Sequence, residues 1–281
     1  MEGFRVTAPA HWGKAAKARW APRYPSVTEG WGQMFRVNTV SHNKKMSSKI
    51  TLYRANGSCA LAPHAILTHF GIPFSAVEMV PGPNANNKGL FWHAADGSLS
   101  NDEYLKINPK GLVPSLVVAG SDVVITEMPA VITYIAALAP ERNILGKPDI
   151  QRAQVVEWLS WLSGTLHGRG YSMLYRPSRF TNDGDAFPAV EAKGRETIGE
   201  VYAQIEKRLT GVEFAVGDDF TAVEFLIYVF WRWGDEVGFN MQMYPGLGKL
   251  MKKIEGLEGV KKTLQVEQLQ PRFNQATRDL N

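Results

Sequence analysis

The sequence contains a single cysteine, Cys59, among its 281 residues. An internal disulfide is therefore excluded, and a lone thiol is typical of proteins in a reducing compartment. No apolar run approaches the roughly 18 residues that a membrane-spanning helix needs, and the first residues lack the apolar core of a secretory signal. We therefore expect a cytoplasmic protein with no membrane association.

Acidic residues are scarce only in the N-terminal part of the chain, residues 1–49. Residues 1–49 hold nine Lys or Arg against Glu2 and Glu29, a local excess of +7, so the net charge of +4 leaves −3 for residues 50–281. A basic face for nucleic acid is therefore not expected over most of the chain. Scattered aromatic residues without a sustained period predict an extended N-terminal arm over residues 1–45.

Residues 46–140 alternate short apolar runs with helical patterns, which predicts a compact α/β domain. The expected order is βαβαββα, with strands at 50–53, 74–80, 115–118 and 123–126, and helices that begin at Ser58-Cys59, at 102 and at 127. Residues 88–97 show no clear pattern.

Residues 141–281 are predicted to form an all-helical domain. Apolar residues recur with helical spacing at about 149–175, 187–209, 221–237, 244–255 and 257–265. Thr221 and Glu224 have the spacing of a capping box, which places a helix start at this point.

The segment around Cys59 is the best candidate for chemistry. It passes from a strand through an Asn56-Gly57 turn into a helix, so Ser58 and Cys59 lie near unpaired backbone N–H groups and the positive end of a helix dipole. A thiolate would be stabilised there, although a buried, inert cysteine remains the alternative. A second cysteine is missing from Cys59-Ala-Leu-Ala62, so a thioredoxin-type dithiol is excluded.

Three motifs, in this order, resemble the glutathione S-transferases over about residues 48–265. They are Asn108-Pro-Lys-Gly-Leu-Val-Pro-Ser-Leu116, Thr126-Glu-Met-Pro-Ala-Val-Ile-Thr-Tyr-Ile135 and Gly217-Asp-Asp-Phe-Thr-Ala-Val-Glu224. The resemblance implies a thioredoxin-like N-terminal domain followed by an all-helical C-terminal domain. It also implies glutathione as the co-substrate, no metal, and a homodimer.

The residues around Cys59 and His167 are most similar to the bacterial beta class of that family. The adjacent Ser58-Cys59 pair also resembles the zeta class, whose members isomerise activated alkenes with glutathione. The chain departs from the usual beta-class pattern at three positions, namely Ser160 in place of asparagine, Gly168 in place of lysine, and Met128 in place of a small residue.

The resemblance implies a role for each site residue. Val113, before a cis Pro114, would offer its backbone to the cysteinyl part of glutathione, while Glu127 and the N–H of Met128 would meet its γ-glutamyl end. The catalytic candidates are Cys59, Ser58 and His167, with Ser160 two turns before His167 on the same helical face.

These features predict an enzyme that activates the glutathione thiolate and adds it to an apolar electrophilic small molecule. Net conjugation and glutathione-dependent double-bond isomerisation both remain open. The alternative is a non-catalytic binding or regulatory module with the same fold. Candidates for an apolar substrate wall are Tyr171, Met173, Tyr175, Phe225, Trp231 and Trp233.

Overall fold

The computed structural model describes residues 50–82 and 91–273. The arm predicted at residues 1–45 lies outside the described residues.

A five-stranded mixed sheet forms the first part of the fold. Its strands are β1 (Ile50–Arg54), β2 (Ser75–Pro81), β3 (Trp92–Ala94), β4 (Ser115–Val118) and β5 (Val124–Thr126), in the spatial order β3-β2-β1-β4-β5. β1 runs parallel to β2, while β1–β4, β2–β3 and β4–β5 are antiparallel pairs. The central strand β1 pairs Leu52 with Ala76 on one side and with Leu116 on the other.

Three helices accompany this sheet: α1 (Leu61–His69), α2 (Asn101–Ile107) and α3 (Met128–Leu138). The sequence pattern predicts these helices and four of the strands, but it misses β3. That strand has three residues, too few to show an alternating period, and it forms because Met79 and Val80 of β2 pair with Ala94 and His93.

The second part of the chain is helical. Its elements are α4 (Ile150–Trp161), a π-helical segment (Leu162–Tyr171), α5 (Ser172–Tyr175), α6 (Phe187–Arg208), α7 (Ala222–Glu236), α8 (Pro245–Gly256) and α9 (Glu258–Val266), with short 3-10 turns between several of them. The predicted fold class, a thioredoxin-like α/β domain followed by an all-helical domain, is confirmed. In the ranges 50–82 and 91–273, none of the helices combines the length and apolarity required to traverse a bilayer.

The capping box predicted at Thr221 is present at the start of α7. Glu224 Oε2 accepts from the backbone N–H of Thr221 at 2.8 Å, and the Thr221 hydroxyl accepts from the N–H of Val223 at 3.3 Å. The Glu224 side chain is fully buried and also accepts from the N–H of Ala215 at 2.7 Å. It therefore joins the start of α7 to the preceding loop, in addition to capping the helix.

The π-helical segment packs very closely against α6. An added Cβ at Gly170 would lie 2.7 Å from Ile198 Cγ1, and one at Gly194 would lie 2.9 Å from the Gly170 carbonyl oxygen. Only glycine allows this approach at either position. The contact holds the segment that carries His167.

Candidate active site

The turn after β1 carries Ser58 and Cys59 toward the helical domain. Gly57 has a φ of +67°, a conformation that glycine adopts without strain. The Ser58 hydroxyl donates to the carbonyl of Ala55 at 2.7 Å and accepts from the N–H of Ala60 at 3.2 Å. The hydroxyl proton of Ser58 is thus used within the turn. α1 itself begins two residues after Cys59, at Leu61.

The Cys59 thiol lies in an apolar environment, with 7% of the residue exposed. Burial raises the pKa of Cys59 to about 12, and the nearby backbone N–H groups only partly offset it. Its Sγ lies 3.6 Å from the Val113 carbonyl oxygen, within reach of a weak S–H hydrogen bond. Without a bound ligand, Cys59 is therefore a protonated donor at neutral pH, where the helix start alone favoured a thiolate.

Cys59 is expected to react slowly with iodoacetamide. At pH 8 a thiol with a pKa of about 12 should be alkylated roughly a thousandfold more slowly than an ordinary cysteine, because the thiolate is the nucleophile. The rate should still rise about tenfold per pH unit at pH 9. Alkylation followed by mass spectrometry measures it, with the urea-unfolded chain as the control. A rate that levels off between pH 7 and 9 contradicts the prediction.

Val113 lies two residues before the inner strand β4, beside the thiol. The Val113–Pro114 peptide is cis, as predicted. Within residues 50–82 and 91–273, the pairing of β4 with both of its neighbours begins at Ser115. The Val113 backbone is therefore left outside the ladder, in a position to bind an extended peptide.

Glu127 follows β5 and directly precedes α3. Its φ is 69°, a left-handed conformation that is strained for a residue with a side chain and is concentrated at functional sites. The carboxylate is largely exposed and pairs with Lys110 Nζ at 2.6 Å. The next residue, Met128, is buried and contributes a backbone N–H at the start of α3.

His167 projects from the π-helical segment into a group of aromatic rings. Its ring centroid lies 5.4 Å from that of Trp233 and 5.9 Å from that of Phe230. Burial, with a smaller contribution from the positive charge of Arg179, lowers the pKa of His167 to about 4. The imidazole is therefore neutral at physiological pH.

A cavity of about 410 Å³ lies between the two domains, and Cys59, Val113 and His167 all line it. Its wall on the first domain includes Ser58, Cys59 and Val113, and its wall on the helical domain includes His167 and Trp233. The other lining residues are Trp92, Leu112, Tyr171, Ser172, Tyr175, Arg176 and Arg179.

The structure does not bring all the predicted residues to this cavity. Pro114, which follows the lining residue Val113, does not line it, and neither do Glu127 and Met128. Ser160 is exposed on α4 and is also absent from the lining. The prediction for Ser160 assumed a continuous α-helix, whereas π-helical geometry from Leu162 turns fewer degrees per residue. A spacing of seven residues then no longer returns to the same face.

Three of the six aromatic and apolar wall candidates line the cavity: Tyr171, Tyr175 and Trp233. The others lie elsewhere. Phe225 packs against His69 and Phe70 in the core between the domains, Trp231 stacks on Phe273, and Met173 lies near Gly194 of α6.

Sequence reasoning also missed cavity residues, chiefly Trp92 of β3 and the arginines Arg176 and Arg179. Lys110 was missed as the partner of Glu127, although it belongs to the Asn108–Leu116 motif. The two arginines come shortly after the π-helical segment that carries His167. Two arginines three residues apart, after an aromatic-rich stretch, were the sequence signal that could have indicated them.

The helical domain holds the turn before Cys59 from two sides. Glu267 accepts from the N–H of Gly57, and the Trp233 indole donates to the Gly57 carbonyl, both at 2.8 Å. The second Glu267 oxygen lies 2.7 Å from Nδ1 of His64, and both of these side chains are buried. We call these four residues, Gly57, His64, Trp233 and Glu267, the Gly57 clasp.

The described residues contain no group of three His, Cys, Asp or Glu side chains that is arranged to hold a metal ion.

Two family models match the chain. The glutathione S-transferase N-terminal domain matches residues 57–138, and the glutathione S-transferase C-terminal domain matches residues 172–258. GstA of Escherichia coli O157:H7 is 27% identical over 226 residues, which are 78% of this chain and 98% of GstA.

Solved structures agree with this match. A sphingomonad glutathione S-transferase, solved in complex with glutathione, is 27% identical and superposes with a TM-score of 0.65 over 78% of this chain and 100% of the other. The beta-class enzyme of Sphingomonas chungbukensis is 25% identical, with the same coverage and TM-score.

The two domains and the cavity between Cys59 and His167 thus define a glutathione-dependent transferase fold. The chain belongs to the glutathione S-transferase family, and its resemblance to the bacterial beta class is confirmed. Glutathione is its co-substrate.

Proposed function

We propose that this protein conjugates glutathione to an apolar electrophilic small molecule. The observation that carries the proposal is the cavity of about 410 Å³, with a buried thiol and the Val113 backbone outside the sheet ladder on one wall and a neutral histidine among aromatic rings on the other. This size is in the range of small-molecule sites. Glutathione, when bound, supplies a thiolate that forms the carbon–sulfur bond as a leaving anion departs or a proton adds to an activated double bond.

The first domain would bind glutathione through the segment that precedes β4. The N–H and C=O of Val113 would pair with the cysteinyl backbone, with Pro114 ending this pairing. The Glu127 carboxylate, which already holds the ammonium of Lys110 at 2.6 Å, would accept the γ-glutamyl ammonium. The N–H of Met128, at the start of α3, would meet the γ-glutamyl carboxylate. Ser160 is left out because its side chain is exposed on α4.

Cys59 and His167 would stabilise the thiolate of glutathione as neutral donors. Cys59 keeps its proton because burial raises its pKa, and its Sγ lies 3.6 Å from the Val113 carbonyl beside which the cysteinyl segment would bind. His167 is neutral because burial lowers its pKa, so one ring nitrogen carries a proton it can donate. Ser58 is the weaker candidate, since its proton already binds the carbonyl of Ala55.

Replacing Glu127 with glutamine is expected to weaken glutathione binding by roughly 1.5–3 kcal/mol, the usual value of a hydrogen bond to a charged group. Isothermal calorimetry measures the dissociation constant. Glu141→Gln is the matched control, because Glu141 is also an exposed glutamate paired with a cation, Arg142. Equal affinities of the two variants would remove Glu127 from the site.

Turnover separates the candidate functions. With glutathione and a chloronitroarene, conjugation consumes glutathione in step with halide release. Isomerisation is the alternative reaction suggested by the Ser58-Cys59 pair. With a cis-enone it would change the absorbance spectrum of the substrate without consuming glutathione. Binding of glutathione without either reaction would favour the non-catalytic module.

We also propose a twofold homodimer, the arrangement implied by the family resemblance, and a cytoplasmic location suited to its single cysteine. Sedimentation at micromolar concentration tests the dimer, and a single species of 31.2 kDa would exclude it.

A further inference from the structure

Two arginines of the helical domain line the cavity, Arg176 directly after α5 and Arg179 at the end of the following 3-10 turn. Arg176 is partly buried and Arg179 is exposed. Across residues 50–82 and 91–273, neither side chain makes an ion pair or a side-chain hydrogen bond. Among the described cations of the helical domain, Lys147 and Arg208 each pair with a carboxylate, while exposed ones such as Arg152 do not. What distinguishes Arg176 and Arg179 is that they are unpaired and line the cavity. The described lining of the cavity therefore contains two positive charges and no carboxylate.

The two guanidinium groups repel each other beside an apolar wall. Burial and the charge of Arg179 together lower the pKa of Arg176, and Arg179 also acts on His167 deeper in the cavity. Two acids act on residues of this cavity, Glu127 on His167 and Glu236 on Tyr175. Each is already paired with a cation at 2.6 Å, Glu127 with Lys110 and Glu236 with Arg272. A bound anion would remove the repulsion, and a guanidinium matches the two oxygens of a carboxylate.

The rest of the wall is aromatic. The Trp233 ring lies 5.1 Å from Tyr171 and 6.1 Å from Tyr175 between centroids, in edge-to-face arrangements. Trp92 lines the cavity from the first domain. Rings of this kind favour a flat apolar ligand, while the arginines favour an acid group at one end of it.

We propose that the electrophile is an apolar, ring-containing carboxylic acid whose carboxylate binds Arg176 and Arg179. This inference rests on the proposed function and names the substrate class for the same cavity. The aromatic wall holds the ring, the arginine pair fixes the acid end, and the reactive carbon is directed toward Cys59 and His167. Neutral electrophiles of the same shape use only the aromatic part of this site.

The test compares ethacrynic acid with its methyl ester. Both contain the same activated double bond, which is remote from the carboxyl group, so their intrinsic reactivities are close. The S–H of glutathione adds across this bond, forming one carbon–sulfur and one carbon–hydrogen bond, and no other reactant is needed. The measured quantity is kcat/KM for the acid divided by kcat/KM for the ester, each corrected by its uncatalysed rate.

The native protein is expected to prefer the acid. The double variant Arg176→Gln/Arg179→Gln should lower the acid-to-ester ratio by about tenfold or more, while the KM for glutathione stays the same. The ratio is the readout because loss of the Arg179 charge also acts on His167, which is shared by both substrates. Arg176→Lys/Arg179→Lys should retain part of the preference because it keeps the charges. Arg152→Gln is the control, since Arg152 is exposed on α4 away from the cavity and should change nothing.

Other outcomes overturn the proposal. A raised KM for glutathione with an unchanged ratio would assign the arginines to the glycyl carboxylate of glutathione. An equal loss for acid and ester would overturn the carboxylate contact, leaving the arginines a role common to both substrates, in the structure or through the charge of Arg179 on His167. If neither compound is turned over, the proposed function fails, and calorimetry with the two preformed glutathione conjugates decides the inference. A preference for the acid conjugate that the double variant loses supports it, and equal affinities overturn it.

Discussion

Replacing Glu267 with alanine is expected to lower the free energy of unfolding by about 3–5 kcal/mol, the usual cost of removing one partner from a buried pair. Glu267 is 1% exposed and belongs to the Gly57 clasp, where it binds Nδ1 of His64 at 2.7 Å and the N–H of Gly57 at 2.8 Å. The alanine variant leaves the buried His64 ring and the partly buried N–H of Gly57 without this partner. Each such loss costs about 1–3 kcal/mol.

Urea unfolding of both proteins measures this effect. Glu258→Ala is the matched control, because Glu258 begins α9, the helix that Glu267 directly follows, but is exposed and forms a surface ion pair with Lys261. Its effect should stay within about 0.5 kcal/mol. A Glu267→Ala protein as stable as this control would show that the clasp contributes nothing.

The Gly57 clasp also holds the turn that positions Cys59, so its loss should affect activity as well as stability. Gly57 lies two residues before Cys59, and both of its backbone groups bind side chains of the helical domain, Glu267 and Trp233. In Glu267→Ala the turn that positions the thiol loses one of these two bonds. Turnover should therefore fall further than the loss of folded protein explains, and circular dichroism measured under assay conditions supplies that correction.

Replacing Gly259 with alanine is expected to destabilise the protein by about 3 kcal/mol. An added Cβ would lie 2.3 Å from the Cα of His69 and 2.6 Å from its backbone nitrogen. The neighbour is backbone, which a rotamer change cannot move, so α9 must shift away from the end of α1. Overpacking of this kind costs typically 1–3 kcal/mol and occasionally more.

Gly256→Ala separates this clash from a general effect of alanine. Gly256 ends α8 three residues earlier, and an added Cβ there meets nothing within 4 Å. Its alanine variant should be neutral or slightly more stable, because the unfolded chain loses freedom. Equal melting temperatures for the two variants would contradict the predicted clash.

The order of elements follows from local pattern to a large extent. The alternation around Leu52, the capping box at Thr221 and the helical spacing from Val155 to Leu166 each predicted an element that the structure contains. Such patterns report which face of an element is buried, and that depends on residues close in the chain. The short strand β3 was missed because it depends on pairing with β2.

The candidate site was predictable only where a motif carried it. Cys59, Val113 and His167 were named from their motifs, and the structure brings all three to one cavity. The arginines at 176 and 179 belong to no quoted motif, and only the packing of the second domain places them there. Ser160 shows the limit of spacing arguments, since the π-helical segment alters the rotation per residue after Leu162.

The sequence by itself determined the two-domain architecture, the family and the residues near the thiol, because these depend on local pattern and motif. Tertiary structure decided the protonation states of Cys59 and His167. The helix start favoured a Cys59 thiolate, whereas burial raises the pKa of Cys59 to about 12 and lowers that of His167 to about 4. Desolvation depends on atoms contributed by distant parts of the chain, and so does the Gly57 clasp, whose partners are 176 and 210 residues from Gly57. No local pattern contains that information.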